Sequence, residues 1–257
     1  LRLDQFLLID HVSTSDFAVY SLAFYGIPII NFILSSINNV AMPELTSFAK
    51  SGDFDSITIL WNRIIVKTIS VTIPALGFFV VFAPEIIVFL FTESYLDSIL
   101  YYRIYLFTVL FSATSYGLVL RASNQTKYVM ISNIIGLVFS LVSAFILIPQ
   151  FKMHGAIVTA MISFVVPVVL QIFFELRYLK VGLTKIIPFQ KIIINILLTG
   201  FALCFAVIFR FFLEDTLLIL LFSFVFFSLS VVIIQYTLNC FILQKELSKI
   251  ISKLNII

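Results

Sequence analysis

The chain has 257 residues, of which 61% are apolar and only 11% are charged. A soluble domain is nearer half apolar and about a quarter charged, and the mean hydropathy of this chain is +1.16. This composition excludes a soluble enzyme, a disordered chain and a nucleic-acid-binding domain. The net charge is only +3, and both cysteines lie in apolar runs, so neither a disulfide framework nor a zinc cluster is expected.

The first residues are typical of the end of a helix. The chain opens Leu1-Arg2-Leu3-Asp4, with no initiator Met and no signal peptide. The apolar stretch that follows is far shorter than the roughly 20 residues that cross a bilayer. We expect residues 1–16 to be the end of a truncated transmembrane helix and an outer loop, with an N-terminal portion before them. Asp4 is costly there unless it pairs with a base such as Arg2 or lines an aqueous path, and we favour the path.

Seven apolar segments follow, and their continuous runs favour helices over a barrel, whose strands alternate. The first five predict a transmembrane lobe at 17–179, and the last two predict a peripheral pair of transmembrane helices at 180–243. The half-polar stretch 84–98 is predicted to be a short interfacial helix. The predicted spans are 17–45, 64–83, 99–120, 128–148, 155–176, 192–212 and 217–241.

The basic residues support this number of spans. When the loops are assigned alternately to the two sides, most basic residues fall on one side, which the positive-inside rule identifies as cytoplasmic. The chain is therefore predicted to be a multi-pass membrane protein with a cytoplasmic C-terminus. The predicted cytoplasmic set is Lys50, Arg63, Lys67, Arg121, Lys127, Arg177, Lys180, Lys185, Lys191, Lys245, Lys249 and Lys253, and the outer set is Arg103, Lys152 and Arg210.

The last segment, 244–257, is predicted to be a cytoplasmic amphipathic tail. Its lysines recur every four residues, at Lys245, Lys249 and Lys253, and so share one helix face. Such a face rests on anionic headgroups, although a partner-binding helix is the alternative. Membrane lipids are thus an expected partner, and the basic balance needs no nucleic acid.

A polar stripe runs along the first predicted span. Its members follow helical spacing and fall on one face. Asparagines within a membrane need partners on other helices or water, so the face either bonds to neighbouring helices or lines a hydrated cavity. The stripe consists of Asn31, Ser35, Asn38, Asn39 and Met42.

A second stripe, of hydroxyl-bearing side chains, runs along the third predicted span. Hydroxyls and aromatic rings suit the hydroxyls and faces of sugars. Arg103 lies about 200° around the helix from this stripe, which favours snorkelling to the outer interface. The stripe consists of Tyr101, Tyr105, Thr108, Ser112 and Ser115.

The fourth and fifth predicted spans carry small residues at steps of about four. Such residues let membrane helices approach closely, so we interpret them as packing positions. They are Ser132, Gly136, Ser140 and Ser143, and then Gly155, Thr159, Ser163, Pro167 and Gln171.

No catalytic constellation is apparent in the sequence. His11 and His154 lack metal-ligand spacing, and there is no Gly-rich phosphate loop or nucleophile elbow. We expect no enzymatic activity, no metal and no other cofactor.

Taken in order, several short motifs resemble the C-terminal half of a Wzx/RfbX-like polysaccharide-unit flippase, within the multidrug/oligosaccharidyl-lipid/polysaccharide exporter superfamily. The likeness covers nearly the whole chain, and Asn124 stands where that family usually has glycine. The motifs are Asp4 with Tyr20 and Ala23; Met42-Pro43-Glu44 with Ser51-Gly52-Asp53; Phe91 and Tyr95 with Arg103; and 122–127 with Ile148-Pro149 and Gly155-Ala156.

The resemblance implies the C-terminal lobe of a MATE-like 14-helix transporter, here the end of helix 7 and helices 8 to 14. It implies alternating access by rocking lobes and an undecaprenyl-diphosphate-linked oligosaccharide as substrate. A polysaccharide polymerase and a chain-length regulator are possible partners. Cations for the diphosphate would come from Arg2, Arg103 and Arg121, although Arg121 at the cytoplasmic mouth also fits a positive-inside anchor. The candidate pathway residues are Asp4, Asn31, Asn38, Tyr101, Tyr105, Arg103 and Arg121.

Two classes of alternative stay open. A lipid II flippase or a multidrug/cation antiporter belongs to the same superfamily, but the first would carry more basic residues in the cavity and the second more buried acids than Asp4 alone. A membrane polysaccharide polymerase or glycosyltransferase is a different class, and it would need a large outer loop with clustered charges. The longest predicted outer loop, 83–98, holds no basic residue.

Overall fold

The computed structural model describes residues 3–25 and 28–237. Within these ranges the chain forms helices and no strand. The helices are α1 (Leu3–Leu8), α2 (Thr14–Leu22), α3 (Pro28–Ser51), α4 (Phe54–Val81), α5 (Ala83–Leu90), α6 (Ile99–Ser112), α7 (Leu118–Ala122), α8 (Thr126–Leu179), α9 (Leu183–Ile186), α10 (Phe189–Ala206), α11 (Phe209–Phe212) and α12 (Thr216–Thr237), with a 3₁₀ helix at Glu93–Ser98.

Four stretches of the described chain are long and apolar enough to cross a membrane. They are α4, α8, the joined α10 and α11, and α12 to Gln235. The predicted all-α polytopic membrane bundle is therefore confirmed. The division of that bundle into a five-span lobe and a peripheral pair stays a prediction, and the tail 244–257 lies outside the described residues.

The first predicted span is wrong as a single helix, because 17–45 is divided between α2 and α3. Ser13 begins α2 by accepting a hydrogen bond from the Asp16 amide. The helix ends at Leu22, and the Ala23 amide bonds back to the Tyr20 carbonyl. Pro28 is the first residue of α3, a position where a fixed φ and a missing N–H cost nothing.

The third predicted span, 99–120, is also wrong as a single helix. Helix α6 ends at Ser112, and α7 begins only after Ser115 (φ 51°) and Gly117 (φ 70°) have taken left-handed conformations. Side chains of α4 accommodate this break: Trp61 Nε1 donates to the Thr114 carbonyl at 3.0 Å, and the Thr68 hydroxyl donates to the Ala113 carbonyl. A broken helix at membrane depth is stable only where neighbours satisfy the freed backbone groups in this way.

The long helix α8 is a hairpin of two arms. Lys152 leaves the helical conformation (φ 48°, ψ −122°), and the chain folds back on itself there. The Tyr128 and Phe174 rings meet 4.8 Å apart, and a Cβ added at Gly136 would lie 2.3 Å from Pro167 Cγ. The two arms match the predicted spans 128–148 and 155–176, and the close packing predicted for Gly136 and Pro167 is confirmed.

Helix α4 is the centre of the bundle, packed against α3, α6 and α10. Its Trp61 is fully buried. On one side it meets α10 and α12, where Gln235 Nε2 donates to the Ser70 carbonyl at 3.0 Å and to Asn195 Oδ1 at 3.4 Å. Interhelical bonds of this kind hold membrane helices together, so α4 is the element that fixes the position of the neighbouring cavities.

Candidate functional site

A basic groove lies between α3 and α4. Its volume is about 480 Å³, and two cationic side chains of α4, Arg63 and Lys67, lie one helical turn apart on its wall. Helix α3 contributes the carboxylate of Glu44 and the hydroxyl of Ser36. The remaining lining is aliphatic: Ile37, Val40, Ala41, Leu60 and Ile64.

The depth of Lys67 was missed by the sequence analysis. The predicted span began at residue 64, which left Arg63 and Lys67 near a cytoplasmic loop, but α4 begins ten residues earlier, at Phe54. At a rise of 1.5 Å per residue, Lys67 lies about 20 Å from either end of α4. A charged side chain in the middle of an apolar helix either pairs with another group or faces a cavity, and Lys67 lines the groove.

The asparagine stripe continues the polar character of α3. Asn31, Ser35 and Asn39 are exposed, and Asn38 is half-buried with its Oδ1 lacking a hydrogen-bond partner within the described ranges. The Ser35 hydroxyl donates to the Phe32 carbonyl of its own helix. Of the two alternatives for this face, bonding to helices of the described bundle is not observed. The face is available to water or to groups outside the described residues.

A second, acidic cavity of about 190 Å³ surrounds Asp4. The carboxylate of Asp4 is 5% exposed, and its Oδ2 accepts a hydrogen bond from the Tyr20 hydroxyl at 2.7 Å. Tyr105 and Thr108, both predicted on the third-span stripe, line the same cavity. The structure thus brings together Asp4 and Tyr105, two of the predicted pathway residues that lie about 100 positions apart in the sequence.

Aromatic rings surround the Asp4 cavity. Tyr20 contacts the ring of Phe24 at 4.9 Å and that of Tyr101 at 5.9 Å, while Phe24 contacts Tyr105 at 5.1 Å. Edge-to-face pairs of this kind fix the orientation of each ring. The exposed His154 contacts this group, with its ring 5.5 Å from that of Tyr101.

The sequence analysis missed Glu175, a second buried carboxylate. Its Oε1 accepts from the Val119 amide at 2.9 Å, at the beginning of α7, and the residue is fully buried. Nearby, Gln171 Nε2 donates to Asn133 Oδ1. The sequence contains a signal for this residue, because Glu175 is the next position in the series of four-residue steps from Gly155 to Gln171. Asp4 is therefore not the single buried acid of the described chain.

Arg103 lies away from both cavities, as predicted from its angle to the stripe. Its Nε donates to the Val80 carbonyl at 3.0 Å, in the last turn of α4. Arg210 donates to the neighbouring Val81 carbonyl at 2.7 Å and pairs with Glu85. Cations are favourable at the negative end of a helix. Arg103 thus has a cap-like role here, and the structure does not bring it together with Asp4 or Tyr105.

Arg121 lies at the end of α7, beside the first arm of α8. Its Nη2 donates to the Tyr116 carbonyl at 3.1 Å, and its side chain is exposed. It borders a shallow, largely apolar groove of about 450 Å³ that is separate from the two cavities above. Of the predicted pathway residues, only Asp4 and Tyr105 are among the residues that line the Asp4 cavity. The others, which do not line it, are Asn31, Asn38, Tyr101, Arg103 and Arg121.

Residues 1–100 match a family described as "Polysaccharide biosynthesis protein". The match takes in α1 to α5 and includes Asp4, Tyr20, Arg63 and Lys67, although it covers less than half of the chain. Together with the four long apolar helices, this match supports a membrane protein related to polysaccharide biosynthesis. Neither a curated protein nor a solved structure matches the chain.

Proposed function

We propose that this chain forms part of a transporter that moves undecaprenyl-diphosphate-linked oligosaccharides from the cytoplasmic to the outer leaflet of a bacterial inner membrane. It acts as a Wzx/RfbX-like flippase for surface polysaccharide synthesis and not as an enzyme. The observation that carries the proposal is the basic groove between α3 and α4, with Lys67 near the middle of an apolar helix.

The chemistry of the groove suits the substrate. A diphosphate is the anionic part of a lipid-linked sugar, and it cannot cross an apolar layer without cations or polar groups that replace its water. Arg63 supplies a planar fork of donors and Lys67 a compact point charge. The exposed amides of Asn31 and Asn39 on the same helix as Glu44 offer hydrogen bonds to sugar hydroxyls.

The proposed transport mechanism follows from the position of the two cationic side chains, Arg63 and Lys67, on α4. Repeat-built transporters bind substrate near the midplane and expose the site alternately to the two sides by rocking of one bundle against another. In this chain, α4 carries the cations and also packs against α3, α6 and α10. Movement of α4 relative to α3 changes the groove and therefore the access of the diphosphate. A polysaccharide polymerase and a chain-length regulator would act on the delivered unit.

The test uses the full-length gene deleted in its host and complemented with Lys67→Gln, Lys67→Arg or Lys191→Gln. Lys191 is an exposed base at the start of α10 and serves as the charge-matched control. Complete repeat units accumulating on the cytoplasmic leaflet in the deletion and in Lys67→Gln, with rescue by the other two variants, support the flippase. Single units that reach the outer leaflet unpolymerised overturn it in favour of a polymerase.

A second candidate, a cation-coupled antiporter, is favoured by the Asp4 cavity. A buried carboxylate beside a small cavity suits a small cation, and Glu175 is a further buried acid that was not predicted from the sequence. Asp4→Asn separates the two functions. Normal lipid-linked saccharides in the deletion strain, with drug sensitivity altered both there and in Asp4→Asn, support the antiporter and contradict the flippase.

A further inference from the structure

A third concave surface, which neither the Asp4 cavity nor the basic groove includes, lies along the first arm of α8. We define this lipid groove by its lining, which combines one cation with a helical stripe of mostly apolar side chains: Arg121, Thr126, Val129, Met130, Asn133, Ile134 and Leu137. Its volume of about 450 Å³ is in the range of small-molecule sites. It does not depend on the proposed transport function.

The two ends of this groove differ in chemistry. Arg121 lies at the end near the start of α8, while Ile134 and Leu137 lie two to three turns further along the same arm and are about half exposed. Asn133 lies between them, and its amide accepts from Gln171 while keeping its own N–H donors. A cation, then an amide, then an apolar channel is the order of groups that complements a phosphate, an ester and an acyl chain.

The surroundings of Arg121 add positive charge at the same end of the bundle. The arms of α8 are antiparallel, so the first turn at Lys127 lies beside the last turn at Arg177 and the following Lys180. All three side chains are exposed. Glu175 reaches Arg121 electrostatically, but it is buried behind α7 and is used by the α7 backbone amides. The accessible charge around the opening of the groove is therefore positive.

We propose that the lipid groove binds an anionic phospholipid of the membrane, with its phosphate at Arg121 and one acyl chain along Met130, Ile134 and Leu137. Basic pockets beside apolar helix surfaces are the usual recognition sites for anionic headgroups. Charge complementarity selects this occupant over a zwitterionic lipid. The bound lipid would fill the concavity beside the break between α6 and α7.

The experiment uses the full-length protein reconstituted in nanodiscs of phosphatidylcholine with a minor fraction of phosphatidylglycerol. Native mass spectrometry then counts retained lipids. We expect phosphatidylglycerol to be retained preferentially, and Arg121→Gln to lower its retention about five-fold, the effect of one basic residue at a charged surface. Lys191→Gln, which removes an exposed base of α10 outside the groove and its opening, is the control and should retain it.

Two further variants separate binding from folding. Arg121→Lys keeps the charge and should keep most of the retention. Ile134→Trp fills the apolar channel from an exposed position and should lower retention while Arg121 stays intact. Equal retention of both lipids, or an equal loss in Lys191→Gln, would overturn the proposal. Preferential capture of a prenyl diphosphate over phosphatidylglycerol in the same discs would also overturn it.

Discussion

The basic groove and the Asp4 cavity hold their charges in opposite ways. In the cavity, the carboxylate of Asp4 is buried, bonded to the Tyr20 hydroxyl and surrounded by rings in edge-to-face contact. In the groove, Arg63 is exposed and the lining is mostly aliphatic. The buried carboxylate of Asp4 contributes to a fixed structure, whereas the exposed side chain of Arg63 can exchange water for a ligand. Under the proposed function, substrate contact belongs to the groove, and positioning or coupling belongs to the cavity.

Charge reversal in the groove should have the largest effect. Lys67→Glu places a carboxylate where the diphosphate is proposed to bind, and we expect transport to fall by at least about tenfold, since a hydrogen bond to a charged group contributes about 1.5–3 kcal/mol. The measurement is the amount of lipid-linked saccharide in the outer leaflet. Lys191→Glu makes the same change outside the groove. If it impairs transport equally, the groove has no special role.

The hairpin that forms one wall of the Asp4 cavity should be the most sensitive to added volume. Gly136→Leu forces side-chain atoms into Pro167, and overpacking of this kind costs about 1–3 kcal/mol. Unfolding can be followed by the fluorescence of Trp61, the single tryptophan. Gly200→Ala is the control, because a Cβ there meets nothing within 4 Å. A comparable loss of stability in both variants would contradict the tight contact.

Removal of the hydroxyl beside Asp4 should have a smaller effect. Tyr20→Phe keeps the ring contacts with Phe24 and Tyr101 but loses the hydrogen bond, and we expect the free energy of unfolding to fall by about 1 kcal/mol. The control is Tyr25→Phe, an exposed tyrosine that keeps its ring contact with Phe91. If Tyr20→Phe has the same free energy of unfolding as the unaltered protein, the hydrogen bond to Asp4 does not stabilise the fold. The contrast between the Asp4 cavity and the basic groove would then be lost.

The smallest effect is expected at the loop that joins the two walls of the basic groove. Asp53 caps α4, and hydrogen bonds from Ser56 hold the pKa of its carboxyl below the usual value. Because the folded-state pKa is lowered, the stabilisation is present above the unfolded-state pKa and disappears as the pH falls through the folded-state value. Acid titration of thermal stability should show a slight, salt-sensitive loss.

The matched variants for this loop are Asp53→Ala and Asp53→Asn. Asn remains a good helix cap but has no proton to gain. Asp53→Asn should therefore keep the stability at neutral pH and lose the acid dependence, whereas Asp53→Ala should lose both. An unchanged acid profile in Asp53→Asn would show that another carboxyl is responsible.

Composition and apolar run length were sufficient to predict the membrane bundle, because hydropathy measures directly what the bilayer requires. They also located both arms of α8 and α10. They failed at 17–45 and 99–120, where continuous apolar composition hides a break. The break after Ser112 depends on Trp61 and Thr68, which lie about 50 residues earlier and bond to its carbonyls. Such tertiary partners leave no local signal.

For the candidate site, sequence analysis found Asp4 and Tyr105 because each is unusual for its segment. It did not place Lys67, because the rule that assigns basic residues to loops moved the predicted helix start past Arg63. Glu175 was missed for a different reason: the search for small residues at steps of four stopped at Gln171. The first error comes from treating a charge as the end of a span, although a charge that faces a cavity can lie well inside one.

The two arginines at the end of α4 have a mechanical consequence. Arg103 and Arg210, from different helices, both bond to its last carbonyls, so this end is clamped while the other end is joined to α3 by a short loop. Helix α4 then resembles a lever of about 40 Å. A tilt of α4 by about 10° about its C-terminal end would displace Lys67 by about 3–4 Å and the N-terminal end by about 7 Å. A small rotation would therefore produce a large opening on the N-terminal side of the helix.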